Sequence, residues 1–362
     1  MRISLKLAAL CLAIFASASL PVAARPATAT AGPAFTSIGP LAFGPGGVLF
    51  AADRQAATIF ALDLGAQASG ASGTKDIADV DQQIASVLGT AAAEIAITDI
   101  AVHPTSHNTF VSVMRGQGAA AQPALVRIDG AGKIELVKMD AMKFTSVALP
   151  NPAAASPNGR GGRAQSVTDL AYVDGRVIVA GLSNEEFASK LWSVPYPFAA
   201  TDRGASVEIY HGNHGALETR APVMAFVPFM IGGQLNVLAG YTCTPLVKFA
   251  FASLKAGEKV VGTTIGEFGA GNQPLDMIVY KKGGQDFLLM SNSRHGVLKV
   301  STAPFASAAG ITAPVGGTAG VPFERVASMP GVEQLDLLDA THSIVISKNA
   351  DGKRNLAAVI LP

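Results

Sequence analysis

Cysteine is nearly absent: the 362 residues contain two, Cys11 inside an apolar amino-terminal run and Cys243. If that run is removed, one thiol remains, an intramolecular disulfide is excluded, and a large hydrophobic core must supply the stability. Charged residues are also few, at 15%, and the formal net charge is only +1. Without clustered Lys and Arg to neutralise phosphates, nucleic acid is excluded as a partner class. Aromatic residues make up 6%, too few for a platform that stacks sugars or bases. There is no Gly-rich phosphate loop before a helix, no Cys-x-x-Cys-His, no Gly-x-Ser-x-Gly and no His-Glu-x-x-His. Nucleotide, haem and the commonest hydrolase chemistries therefore lose their usual support.

What is present begins with an export signal over residues 1–24. Arg2 and Lys6 form its charged start, Leu7 to Phe15 its apolar run, and Val22-Ala23-Ala24 a small-residue cleavage site. The run is too short to span a bilayer, and bulky Leu10 before Cys11 argues against a lipid anchor. Cleavage after Ala24 leaves 362 − 24 = 338 residues and, with two cations lost, a net charge of −1. The expectation is a soluble, monomeric protein, periplasmic or secreted, whose single domain spans residues 25–362.

Hydrophobic residues account for 49% of the chain, which suits sheets covered on both faces. A short apolar strand opening recurs six times, marked by Leu41, Ile100, Leu170, Met224, Met277 and Leu337 at separations of 59, 70, 54, 53 and 60 residues. A second strand follows each mark, as in Val48 to Ala52 and Phe287 to Ser291, and then a third, as in Thr58 to Leu62 and Gly296 to Val300. Turn residues separate them: Gly44-Pro45-Gly46-Gly47, Asp174-Gly175, Lys282-Gly283-Gly284 and Asp351-Gly352. Repeats of this length and content predict an all-β, six-bladed β-propeller. The last repeat stops after its third strand, so Ala34 to Ile38 is expected to complete the last blade and close the ring. Asp79 to Leu88 reads as a short helix capped by Asp79 or Asp81, and Pro150 to Arg163 as a long mobile loop.

Blade one, Gly39-Pro40-Leu41-Ala42-Phe43-Gly44-Pro45-Gly46-Gly47-Val48-Leu49-Phe50-Ala51-Ala52-Asp53 followed by Thr58 to Asp63, resembles the NHL repeat and the TolB-like six-bladed propellers. The resemblance covers one blade well and five loosely, and implies the fold but no particular activity. The chain also has a distant resemblance to the gluconolactonase and senescence-marker family. That family holds a divalent cation in the channel for lactone hydrolysis and opens its innermost strand with a Glu-Gly-Pro ligand motif. The matching triplet here is Ile38-Gly39-Pro40, which lacks the glutamate.

Propeller geometry brings the residues that precede each innermost strand, and the turns between second and third strands, to one face around the channel. Asp99, Asp169, Asp276 and Asp336 fall at one repeat-equivalent position, with Pro40 and Val223 in the other two blades. Arg54, Arg115, Arg294 and His295 fall in the facing turns. The four carboxylates suit a hard cation such as calcium; alternatively each pairs with a nearby cation and only positions a loop. His295 beside Arg294 is the candidate base. His211 and His214, three apart in a Gly-containing loop, suit zinc or copper but lack a local third ligand. Cys243 reads as a small buried residue or as a nucleophile paired with His295. With no complete catalytic set, the leading expectation is a non-enzymatic protein binding a small molecule, a peptide or a periplasmic protein at the channel face. A metal-dependent hydrolase of lactones or related esters is the alternative.

Overall fold

In a computed structural model that describes residues 22–23, 31–155, 162–243 and 245–362, six small sheets of mainly antiparallel strands stand around a central channel, and a seventh, two-stranded sheet pairs Val22–Ala23 with Ala200–Thr201. The expected leader falls outside the described residues except for Val22 and Ala23, and the expected loop after Pro150 lies partly outside them.

The strands form where alternation and turn chemistry call for them. In blade three, Asp169–Val173 and Arg176–Leu182 are joined by Asp174-Gly175, with φ of 50° and 73°; in blade five, Pro274–Lys282 and Gln285–Asn292 are joined by Gly283-Gly284, at 59° and 81°. Positive φ at both central residues gives the turn whose twist matches the strands it connects, and these residues tolerate it. The expected Thr58–Leu62 strand is present, and the other second and third strands fall within a few residues of their expected bounds.

Blade order in the ring differs from chain order. The innermost strand of blade two, Ile95–Val102, packs between those of blade one, Leu41–Phe43, and blade six, Val332–Leu337; blade one instead meets blade three on its other side. The core records the same arrangement, with one hydrophobic cluster in each of six seams: Phe50 and Ile59 pack on Val177 and Trp192, Leu49 and Phe60 on Phe110 and Leu125, and Val111 and Val126 on Ile344 and Leu356. The other three clusters join blades three and four, four and five, and five and six. Blade two is thus inserted within blade one, whose fourth strand, Phe144–Ala148, arrives only after blade two is complete.

This order corrects the expected ring closure. Residues Ala34 to Ile38 form no strand; Thr36 and Ser37 bind the buried Asp53 carboxylate, and Ile38 is buried in the seam between blades one and two. The residues just before blade one face blade two, out of reach of blade six. Closure comes from the segment that leads into blade two. It crosses the outer side of that blade, where Gly130 N–H donates to Ala71 O and Gly73 N–H to Ser106 O. Ile77 then exchanges two backbone hydrogen bonds with Leu356, of 2.8 and 2.9 Å, on the outer edge of blade six. The helix Val80–Val87 follows, burying Val80 and Ile84 in the seam between blades two and six. Asp79 stands at its N-cap but makes no capping bond; its carboxylate takes Lys353 Nζ at 2.8 Å instead.

Candidate functional site

Bulges in the innermost strands set which side chains face the channel at a given depth. A bulge shifts register just before Asp99 in blade two and Asp276 in blade five, leaving them opposite Ser112 and Ser291. The corresponding shifts place Ala225 and Gln334 at that level in blades four and six. The equivalent residues are therefore Pro40, Asp99, Asp169, Ala225, Asp276 and Gln334, with Ala225 and Gln334 correcting the expected Val223 and Asp336 because the bulges shift the register. Asp336 lies two residues further along its strand, still on the channel side because side chains alternate with period two.

Each aspartate bridges its own blade to the next. One oxygen accepts the following N–H: Ile100 to Asp99 at 2.8 Å, Leu170 to Asp169 at 2.7 Å, Met277 to Asp276 at 2.8 Å and Leu337 to Asp336 at 2.7 Å. The other oxygen accepts a neighbouring blade's N–H: Leu41 to Asp99 at 2.7 Å, Phe226 to Asp169 at 2.7 Å, Leu335 to Asp276 at 2.8 Å and Val102 to Asp336 at 2.7 Å. These inter-blade bonds occur at four of the six seams and run in one sense around the ring.

All four aspartates line a channel cavity of about 380 Å³, together with apolar side chains such as Phe43 and Tyr172. The four side chains are half-buried in the channel, and the partial desolvation pushes all four carboxyls upward, Asp169 to about 7 and Asp336 to about 6. Asp99 and Asp276 rise well above the ordinary range for the same reason, with further upward pressure from the other carboxylates, against which the donated amides pull downward. Arg54, which does not line this cavity, feels the Asp99 charge, and its Nε donates to Ala164 O at 2.9 Å. Burial lowers its guanidinium pKa and the Asp99 charge opposes that shift.

The other predicted residues are dispersed. Arg115 is exposed at the end of its strand. Arg294 reaches Gly271 O at 3.4 Å. His295 Nδ1 lies 3.0 Å from an Arg325 Nη, and burial together with Arg325 and Arg294 depresses the imidazole pKa. Ile38, in place of the glutamate of the lactonase motif, is 0% exposed.

A second group of donors assembles between blades three and four. His211 ends the strand Ala205–His211 and His214 stands in the turn before Ala216–Glu218, with Cys243 in the turn after Gln234–Tyr241. One donor atom from each of the three lies within 4.8 Å of the others, the one such set of three or more His, Cys, Asp or Glu groups among the described residues. The rings of His211 and His214 lie 3.7 Å apart between centroids, and both Nδ1 atoms contact Glu218, at 3.0 and 2.5 Å. Those bonds, His211's foremost, hold the Glu218 carboxyl below its ordinary range against the effect of burial. The sequence offered His211 and His214 but no third ligand; the one usable signal was that the repeat puts both turns on the same face.

No family model matches the chain, and no curated protein matches it. Among solved structures, the chain is similar to a PQQ-bound aldose sugar dehydrogenase from Streptomyces coelicolor, at 12% identity and TM-score 0.33, covering 95% of this chain and 100% of that one. A putative oxidoreductase described as a glucose dehydrogenase, from Thermus thermophilus, matches at 12% identity and TM-score 0.35, covering 93% and 100%. An engineered GH43 glycoside hydrolase matches at 13% identity and TM-score 0.35, covering 74% of this chain and 51% of that one. Matches this remote carry no function across.

Proposed function

We propose that the protein is a non-enzymatic binding propeller of an exported compartment, and that its ligand is a small organic cation held in the central channel. The observation that carries this reading is the cavity of about 380 Å³ bordered by four half-buried carboxylates, each raised in pKa. A positive ligand relieves the unfavourable charge, and the apolar lining accommodates its carbon skeleton. The blade-to-blade amide bonds fix the carboxylates on separate strands, and they are absent from the set of donors gathered within 4.8 Å. That spacing favours a diffuse organic cation over a bare metal ion and weakens the lactone-hydrolase alternative. The leader-like residues 1–24 support export.

Calorimetric titration of the full chain with matched amines, neutral isosteres and carboxylates tests the reading. Cations alone should bind, and their affinity should rise between about pH 5 and about pH 8 as the carboxyls ionise. Equal binding of the neutral isosteres, or no heat from any amine, would overturn it.

A further inference from the structure

We propose that His211, His214 and Cys243 form a binding site for one late first-row transition-metal ion, zinc or copper, held between blades three and four. The site is separate from the channel, since none of the three residues lines that cavity, and it stands whether or not the channel binds a cation.

The donors suit such an ion. Two imidazoles and a thiolate are borderline-to-soft ligands, which select zinc or copper over calcium or magnesium. A four-coordinate zinc with nitrogen and sulfur ligands needs donor separations of about 3.3–3.8 Å from its ordinary bond lengths. The three donors here, all within 4.8 Å of one another, need only a small contraction to reach them.

The nitrogen inventory points the same way. Glu218 occupies Nδ1 of both histidines, so Nε2 is the nitrogen each ring has left to offer. His211 is 1% exposed, and its Nε2 has no hydrogen-bond partner among the described residues. An orphaned buried imidazole nitrogen is costly unless something else satisfies it. A carboxylate that binds the far nitrogen of a metal-ligating histidine is the usual outer support of such sites, because it fixes the tautomer and raises ligand basicity. Here one carboxylate does this for two rings.

The cysteine is held in place as well. Cys243 adopts φ of 63°, an uncommon conformation for a residue with a side chain, and its N–H donates to Asn272 O at 2.6 Å. Gly271 N–H approaches Sγ at 3.4 Å, where it would stabilise negative charge on sulfur. On the histidine side, the turn is pinned by Gly212 N–H to Glu267 at 2.6 Å, Asn213 Nδ2 to Glu267 at 2.9 Å and Val315 N–H to Gly212 O at 3.0 Å. Three ligands leave one position of a tetrahedral ion for water or an exogenous ligand.

The test uses the full chain, reduced and stripped with a chelator. Zn(II) and Cu(I) are each titrated against a chromophoric competitor, and Co(II) serves as the spectroscopic probe. One equivalent of metal per chain is expected, with a sulfur-to-cobalt charge-transfer band that Cys243→Ser abolishes. The half-exposed ligand variant His214→Gln should bind at least about tenfold more weakly, and Glu218→Gln, which keeps the ligands but loses the support, about 10–100-fold more weakly. Circular dichroism of each variant establishes that it is folded, and His214→Gln and Cys243→Ser avoid the buried His211. Wild-type affinity no greater than that of Cys243→Ser, or a Co(II) spectrum without a thiolate band, would overturn the site. The zinc and copper arms decide which ion it prefers.

Discussion

The channel aspartates show how a single residue can act as a joint. Each oxygen of Asp99 accepts one backbone amide, from Ile100 and from Leu41 of the neighbouring blade, and an amide side chain can offer only one acceptor oxygen. Asp99→Asn should therefore leave one of the two donors facing an NH₂ group and destabilise the fold by about 1–3 kcal/mol, measured by denaturant unfolding. An unchanged midpoint would mean that water satisfies these amides. Gly181 illustrates a purely steric demand. A Cβ there would stand 2.0 Å from Ser166 O, so Gly181→Ala should cost about 1–3 kcal/mol as the backbone shifts to make room. Asp99, Asp169 and Asp276 were legible as a set because they repeat in the sequence. Their amide partners were not, because Leu41, Phe226 and Leu335 lie on other blades and donate through backbone atoms that any residue carries.

Turns and bulges decide the behaviour of whole elements. The tight hairpins were legible from Asp174-Gly175 and Gly283-Gly284, since left-handed dihedrals restrict which residues a turn can hold. The bulge in blade six was not: one unpaired residue near Glu333 carries no fixed signature, yet it puts Gln334 level with the other aspartates and Asp336 two residues deeper. Ring closure also belongs to this scale. Ile77, 6% exposed, bonds to Leu356, 0% exposed, and packs in the seam between blades two and six. Ile77→Ala should destabilise by about 2–5 kcal/mol through the cavity it leaves. It should also speed amide exchange in Arg354–Ile360 more than in the strands of blade four, as read by hydrogen exchange. Uniform acceleration across all blades would show that closure is no weaker than the rest of the ring.

For the molecule as a whole, the channel carboxylates set an unusual pH dependence. A carboxyl whose pKa is higher folded than unfolded binds more protons in the native state, so its stabilising contribution falls as pH rises through that interval. Asp169, raised to about 7, and Asp336, raised to about 6, place the loss between about pH 4 and about pH 7, and Asp99 and Asp276 add in the same direction. His103 and His295, both lowered chiefly by burial, act oppositely near neutrality. Burial pushes Glu185 up, but hydrogen bonds from Lys190, Asn151 and Arg203 outweigh that and hold it at about 2; its contribution is lost only as pH falls below the ordinary carboxylate range. Burial also raises Glu267, so with five carboxyls set against two imidazoles, the melting temperature should fall from about pH 5 to about pH 8 at constant ionic strength, and Asp169→Asn should flatten the slope. A melting temperature that rises over this interval would mean the channel carboxylates are already compensated. The sequence alone determined the strands, their turns and the number of blades, because alternation and turn dihedrals act over a few neighbouring residues. Only the tertiary structure decided that blade two stands between blades one and six, that Ile77 closes the ring, and that Cys243 joins His211 and His214. Those outcomes depend on which distant apolar faces pack together, and many pairings of similar strands satisfy the same local pattern.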